Sequence, residues 1–262
     1  MTSARVTFLG TGTSHGVPAI GCDCAVCRSS DPRDTRLRPS IFVEVPGYAQ
    51  ILVDMTPDFR QQMLRHRFRR IDAILFTHSH ADHIMGLDEV RRFNTLQGGA
   101  IPAYANRETW DVIKRSFYYA FDGVERPGGG VPQIDAREAT DTMSIGGVDV
   151  VPVPLWHGSM PVLGFRFGSF TYLTDASRIP EESWARLDGT ETLVVNALRD
   201  EPHPTHFTVA EALSVIDRVA PRRAYLTHMT HDLGHATTSA RLPAGVELAY
   251  DGLVLDVAVD VK

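Results

Sequence analysis

The sequence predicts an α/β (α+β) protein made of two mixed sheets with helices on their outer sides. Short apolar runs of strand character alternate with amphipathic stretches along the chain. Hydrophobic residues make up 43% and charged residues 22% of 262 residues, an ordinary balance for one substantial core. No repeat, linker or low-complexity tract breaks the pattern, so residues 1–262 read as a single domain.

Strands are expected at Val6–Leu9, Ile41–Val45, Gln50–Val53 and Ala73–Phe76, each a β-branched or aromatic run. A helix follows near Asp58–His66 and another near Met85–Leu96. Ala103 and Tyr104 suggest a short strand, and Asn106 is placed to cap a helix running through Tyr118. Asp122–Gln133 carries four glycines and two prolines and reads as a loop. Strands resume from Met143 to Leu155, and Gly168-Ser169 reads as a two-residue hairpin turn between Gly164–Phe167 and Phe170–Leu173. A short helix near Glu181–Leu187 and a strand at Thr192–Asn196 come next. Thr205 or His206 opens a helix whose Phe207, Ala210, Leu213 and Ile216 share one face. Strands at Arg223–Thr227, Leu248–Tyr250 and Leu253–Val261 complete the chain.

The chemistry is concentrated in His78-Ser79-His80-Ala81-Asp82-His83, where the apolar run Ile71–Thr77 gives way to a helix. Packing does not explain three imidazoles and a carboxylate within six residues. Neutral imidazole and carboxylate are good ligands for Zn and similar divalent ions. A second cluster, Cys22-Asp23-Cys24-Ala25-Val26-Cys27, contains all three cysteines of the chain. An odd, tightly spaced set cannot build a disulfide framework, and thiolates at this spacing ask for a soft cation and a fourth ligand. His231 is the candidate for that fourth ligand.

The H-x-H-x-D-H string resembles that of the metallo-β-lactamase superfamily, and the cysteine cluster resembles that of its PhnP-type cyclic-phosphate phosphodiesterases. The resemblance runs from Phe8-Leu9-Gly10-Thr11-Gly12 to the final strands. It implies an αββα four-layer sandwich. It also implies that His157, Asp175 and His228, each ending a strand-like run, complete a dinuclear site. His78, His80 and His157 would hold one ion, Asp82, His83 and His228 the other, with Asp175 and a hydroxide between them. Cys22, Cys24, Cys27 and His231 would hold a structural zinc. His206 resembles the non-ligand histidine placed beside the scissile phosphate, with His203 its nearby rival. Asp82 would serve the reaction as well as the metal, and Asp72 is a candidate to orient a ligand imidazole.

The activity implied is a metal-dependent hydrolysis of a small phosphodiester, such as a ribose cyclic phosphate, by attack of the bridging hydroxide, with Zn or Mn in the pair. Three alternatives remain open at this point. The tRNase Z endonucleases share the ligands and the His206 motif, but they place a long arm where only 18 residues separate His157 from Asp175 here. The coenzyme-biosynthesis PqqB group shares the cysteine pattern but departs from the full ligand set. A non-catalytic metal- or nucleotide-binding protein of the same fold would not need all seven ligands.

Lys plus Arg is 26 against 32 Asp plus Glu, a net charge of −6. That balance argues against a large nucleic acid as partner. Arginines do gather at Arg65, Arg67, Arg69 and Arg70 and at Arg91-Arg92, and they read as solvated helix faces. No apolar run reaches the roughly 18 residues of a membrane helix, so no membrane partner is expected. The absence of a signal-like start and the clustered free cysteines predict a cytoplasmic protein. The resemblance further suggests a homodimer.

Overall fold

The computed structural model describes residues 1–124 and 130–262. The middle of the expected glycine-rich loop, residues 125–129, lies outside the described residues. The first sheet contains β1 (Thr2–Gly10), β2 (Ser40–Val45), β3 (Ala49–Val53), β4 (Ala73–Leu75), β5 (Ile101–Ala105), β6 (Ile134–Glu138) and, at the far end of the chain, β14 (Val254–Val259). Its order is β14-β1-β2-β3-β4-β5-β6. The second contains β7 (Met143–Ile145), β8 (Val148–His157), β9 (Met160–Phe167), β10 (Phe170–Leu173), β11 (Thr192–Asn196), β12 (Arg223–Thr227) and β13 (Val246–Leu248), in the order β13-β12-β11-β10-β9-β8-β7. Both are mixed, with antiparallel hairpins on one side and parallel pairs on the other.

The period-2 alternation of the strands creates three cores. Ile41, Val43, Ile51, Val53 and Leu75 face inward and meet Phe170, Tyr172, Val194 and Tyr225 of the other sheet. The residues between them, Phe42, Leu52 and Ile74, face outward and pack with Phe59, Met63, Phe93 and Trp110 of the covering helices. On the second sheet Leu193, Val195 and Leu226 turn outward toward Ala212, Val215 and Ile216. Apolar runs buried on both faces are therefore what this sequence needs, and the four layers are helix, sheet, sheet, helix.

The helices are α1 (Phe59–His66), α2 (Ala81–Ile84), α3 (Arg91–Gln97), α4 (Arg107–Ser116), α5 (Val209–Val219) and α6 (His235–Ser239). Asn106 caps α4 as expected, accepting from the Thr109 amide at 2.8 Å. The expected Met85–Leu96 helix is interrupted. Gly86 donates to the Met55 carbonyl at 2.9 Å, and a Cβ there would lie 2.2 Å from the Thr56 carbonyl. This close approach pins the histidine-rich turn against the end of β3 and forces a short 3-10 segment, Leu87–Val90, before α3.

Two further expectations need correction, and two elements were not expected. The helix expected to open at Thr205 or His206 begins after Thr208, whose side chain and Glu211 form a reciprocal capping box. The last parallel strand is Val246–Leu248 rather than Leu248–Tyr250. The edge strand β6 and the short helix α6 were not expected, because Asp135-Ala136-Arg137-Glu138 and His235-Ala236-Thr237-Thr238-Ser239 carry no apolar periodicity. No described helix is long and apolar enough to cross a membrane.

Candidate metal centre

Four strands of the two sheets end at one rim, and the ligand-type side chains sit just past those ends. His78 and His80 follow β4, and Asp82 and His83 lie on α2. His157 is the last residue of β8, Asp175 follows β10 and His228 follows β12. Donor atoms of His78, His80 and His157 lie within 4.8 Å of one another, and so do those of Asp82, His83, Asp175 and His228. Asp175 reaches toward both sets: one carboxylate oxygen is 2.9 Å from His228 Nε2 and 4.0 Å from His78 Nε2.

The backbone at this rim is unusual. Asp54, Asp175 and His228 take φ values of 65°, 54° and 58°. Such left-handed backbone costs about 1–3 kcal/mol per non-glycine residue. The other two described non-glycine residues with positive φ, Arg67 and Ala220, simply end helices. At the rim the turn reverses the chain at a strand end and aims the side chain across the gap between the sheets.

Hydrogen bonds set the imidazole tautomers. His83 Nδ1 lies 2.7 Å from a carboxylate oxygen of Asp54, and His157 Nδ1 lies 2.7 Å from the Thr205 carbonyl. Both partners only accept, so each Nδ1 carries the proton and each Nε2 presents a lone pair. Thr77 donates its hydroxyl to Asp54 at 2.8 Å, which leaves that oxygen to accept from His78 Nδ1 at 3.0 Å. His78 therefore presents Nε2 as well. The Nε2 atoms of His78, His83 and His228 are buried and make no hydrogen bond among the described residues, although carboxylate oxygens lie close to them. Buried polar atoms left unpaired in this way are costly unless something else satisfies them. Lone pairs converging on common points are what a divalent cation satisfies.

The electrostatics agree. Burial drives His228 toward its neutral form, but the Asp175 and Asp82 carboxylates overcome it and raise the imidazole to about 9. Burial likewise opposes ionisation of Asp175, and the His228 and His83 imidazoles hold it well below the carboxylate range. The protein's own charges thus draw positive charge into a buried space, a role that bound cations fill without protonating the ligands.

Of the two candidate non-ligand histidines, His206 is the one that reaches this centre. Its Nε2 lies 3.1 Å from Asp175, while its Nδ1 is 3.0 Å from Thr205 Oγ1 and 3.1 Å from His203 Nδ1. His203 therefore stands one contact further out. Burial lowers His206 to about 4. Asp72 does not orient a ligand imidazole. It accepts from the Gln50 amide at 2.8 Å and from Arg70 at 2.7 Å, at the opposite end of β4. The residue that does so is Asp54, which local sequence did not single out: it is one acidic residue after an apolar strand, and only sheet pairing brings it to His83.

The cysteine cluster also assembles. Cys22 and Cys24 Sγ lie 3.3 and 3.2 Å from His231 Nδ1, and all four donor atoms fall within 4.8 Å of one another. The Cys27 amide, then His231, lowers the Cys24 thiol to about 6, whereas burial raises Cys27 to about 11. Behind the cluster, Arg36 is fully buried. It donates to the carbonyls of Thr230 and Leu233 at 2.9 and 2.6 Å and pairs with Asp34 at 3.1 Å. Asp34 also accepts the His235 amide at 2.7 Å. The loop bearing the cysteines is thereby fastened to the loop bearing His228 and His231. Among the clustered arginines, Arg70 and Arg91 pair with Asp72 and Asp88, and Arg65 donates to the Asp251 carbonyl.

Fold and site together define a hydrolase of the metallo-β-lactamase kind. Residues 49–229, which include all seven His and Asp ligand candidates, match the family described as beta-lactamase superfamily domain. A solved diphosphatase of the PhnP family is 46% identical, with a TM-score of 0.91 and coverage of 99% of this chain and 100% of that one. An octanoyltransferase of Porphyromonas gingivalis is 35% identical across 95% of this chain. This chain spans 51% of that relative's length. The Zn(2+)-bound PqqB of Methylobacterium extorquens shares the fold, at 20% identity and a TM-score of 0.77, over 97% of this chain and 100% of that one. The chain belongs to the metallo-β-lactamase superfamily and, within it, to the PhnP type.

Proposed function

We propose that the chain hydrolyses a small phosphodiester with two divalent ions, Zn or Mn, held by His78, His80 and His157 on one side and Asp82, His83 and His228 on the other. Asp175 lies between the two sets. The observation that carries this reading is the convergence of unpaired, buried Nε2 atoms around a carboxylate that reaches both sets. Two such ions, when bound, lower the pKa of a shared water and clamp the oxygens of a phosphoryl group.

The chain's own residues do the rest. Asp54, Thr77 and the Thr205 carbonyl fix the ligand tautomers, so that little reorganisation is needed when substrate arrives. His206 faces the reacting side. Because Asp175 only accepts, His206 Nε2 carries a proton and Nδ1 accepts from the Thr205 hydroxyl. That N–H would have to turn from Asp175 to donate to a phosphate oxygen or to the departing oxygen.

A small substrate suits the space available. The connection from His157 to Asp175 is used up by β9 and β10 and the turn between them. Gly168 in that turn abuts β14, where a Cβ would lie 2.7 Å from Val259 Cα. This leaves no room for an arm that could grip tRNA, and the net charge of −6 offers none of its attraction. Cys22, Cys24, Cys27 and His231 fit a structural zinc in the same proposal.

The test is hydrolysis of bis(p-nitrophenyl) phosphate by protein loaded with Zn or Mn. Wild type should turn over. His206→Ala should keep its metal content yet lose on the order of 10²-fold in kcat. Full metal occupancy without any turnover would overturn the reading.

A further inference from the structure

The contacts above do not account for all of the clustered arginines. Arg65, Arg70 and Arg91 have partners. The side chains of Arg67, Arg69 and Arg92 make no hydrogen bond or ion pair among the described residues, and neither does that of Arg60. All four line one groove of about 590 Å³, formed by α1, the turn after it and α3 in the helical layer that covers the first sheet. That volume lies within the roughly 300–1,000 Å³ of pockets that hold a ligand.

The floor of this groove is apolar. Phe59 of α1 and Phe93 of α3 meet there with ring centroids 5.8 Å apart, and buried Met63 lines it with them. Leu64 and Leu96 line the same space from positions 60% and 49% exposed to solvent. An exposed leucine or a solvated arginine is ordinary by itself. Two exposed leucines over an apolar floor, with four unpaired guanidiniums and a single acid, Glu89, among the lining residues, are not. The chain as a whole carries a charge of −6, so this positive patch stands against the sign of the remaining surface.

We propose that the groove docks an acidic amphipathic helix of another protein. Helices α1 and α3 are eight and seven residues long, about 10–12 Å. A partner helix lying along them spans about two turns and seats apolar side chains at i, i+4 and i+7 against the floor. Asp or Glu beside that stripe meets the four arginines, and a guanidinium fork takes a carboxylate through two parallel hydrogen bonds. The negative charge elsewhere on the chain repels the same helix and so confines it to this face. A lipid surface suits apolar side chains presented on an outward face, whereas here they line a concavity.

The experiment selects a display library of random helical peptides, about 15 residues long, on the metal-loaded protein. Enriched peptides should carry apolar residues at helical spacing flanked by Asp and Glu. The best of them, made synthetically, should bind wild type saturably. It should bind the double variants Leu64→Ser with Leu96→Ser, and Arg60→Glu with Arg92→Glu, at least about tenfold more weakly. All four positions face solvent, and circular dichroism checks that both variants keep the wild-type fold. Replacing the peptide's acids by Gln should cost a similar factor on wild type and almost nothing on the arginine variant. No enrichment, enriched peptides without acidic residues, or equal binding by wild type and both variants overturns the proposal. Two other occupants are distinguished in the same way. Tighter binding to phosphatidylglycerol vesicles than to the peptide, lost in the leucine variant, assigns the groove to a membrane and overturns it. A dimer of wild type in sedimentation that the leucine variant abolishes assigns it to a second copy and overturns it likewise.

Discussion

The histidine–aspartate cluster draws seven side chains from four strand ends, and all but His80 are buried. The cysteine cluster takes three of its four side chains from one six-residue stretch, and all four are half-exposed. In the first, strand register, left-handed turns and the Asp54–Thr77 network hold the ligands before any ion arrives. In the second, main-chain order is local, made of turn hydrogen bonds from Cys22 to Ala19 and from Arg28 to Cys24 at 3.0 Å and of amide–sulfur contacts of 3.3 and 3.4 Å from Ala19 and Cys27. A rigid scaffold can hold lone pairs together at a cost already met by the core, whereas a short loop needs the ion itself to hold it. The buried Arg36–Asp34 pair joins the two regions, so the loop that follows β12 feels both.

Removing one ligand from each cluster gives the sharpest contrast. Asp175→Ala should lose on the order of 10³-fold in turnover along with the metal of the first cluster, while retaining the ion at the cysteines. Cys24→Ser should lose only that ion and fall nearer tenfold in turnover, with faster amide exchange across Ala19–Arg36. Metal analysis and hydrogen exchange on both variants check this. Equal loss of all ions from either variant would show that the clusters are not independent.

A smaller effect isolates the support around the first cluster. Asp54→Asn keeps shape but makes the partner of His83 Nδ1 neutral. Metal affinity should fall by about 10–100-fold, as it does when such outer partners are removed, with the fold unchanged. Titration with a competing chelator measures it, and an unchanged affinity would mean that the strand ends alone orient His83.

The smallest effect concerns the clamp under the cysteine loop. Asp251 accepts from Thr11 Oγ1 at 2.8 Å and from the Leu37 amide at 2.7 Å, and burial raises its carboxyl to about 6. The folded chain therefore holds this proton more tightly than the unfolded chain does. The resulting stability is fully present below about pH 4 and is lost as pH rises through about 6. Across that window wild type should lose about 2 kcal/mol relative to Asp251→Asn, which cannot ionise. Parallel urea-denaturation curves at pH 4 and 7 would sink the idea.

Much of this protein is written locally. The H-x-H-x-D-H string, the cysteine spacing and the apolar strands declare a metal-binding sandwich, because strand periodicity and ligand chemistry act over a few residues. His157, Asp175 and His228 are each unremarkable alone and became legible only through resemblance to a family. Asp54 and Arg36 carried no local signal at all. Their roles come from sheet order, which sets β3 beside β4, and from loop packing, which brings residues near 36 against residues near 230. The start of α5 was misplaced for a similar reason. Thr205 and Thr208 are both plausible caps, and the choice fell to Thr208 because Glu211 reciprocates and the Thr205 carbonyl is taken by His157. The sequence by itself determined which atoms can bind metal and which residues alternate into a core. Only the tertiary structure decided which lone pairs face one another and which loops are fastened together, since those are properties of segments far apart in the chain.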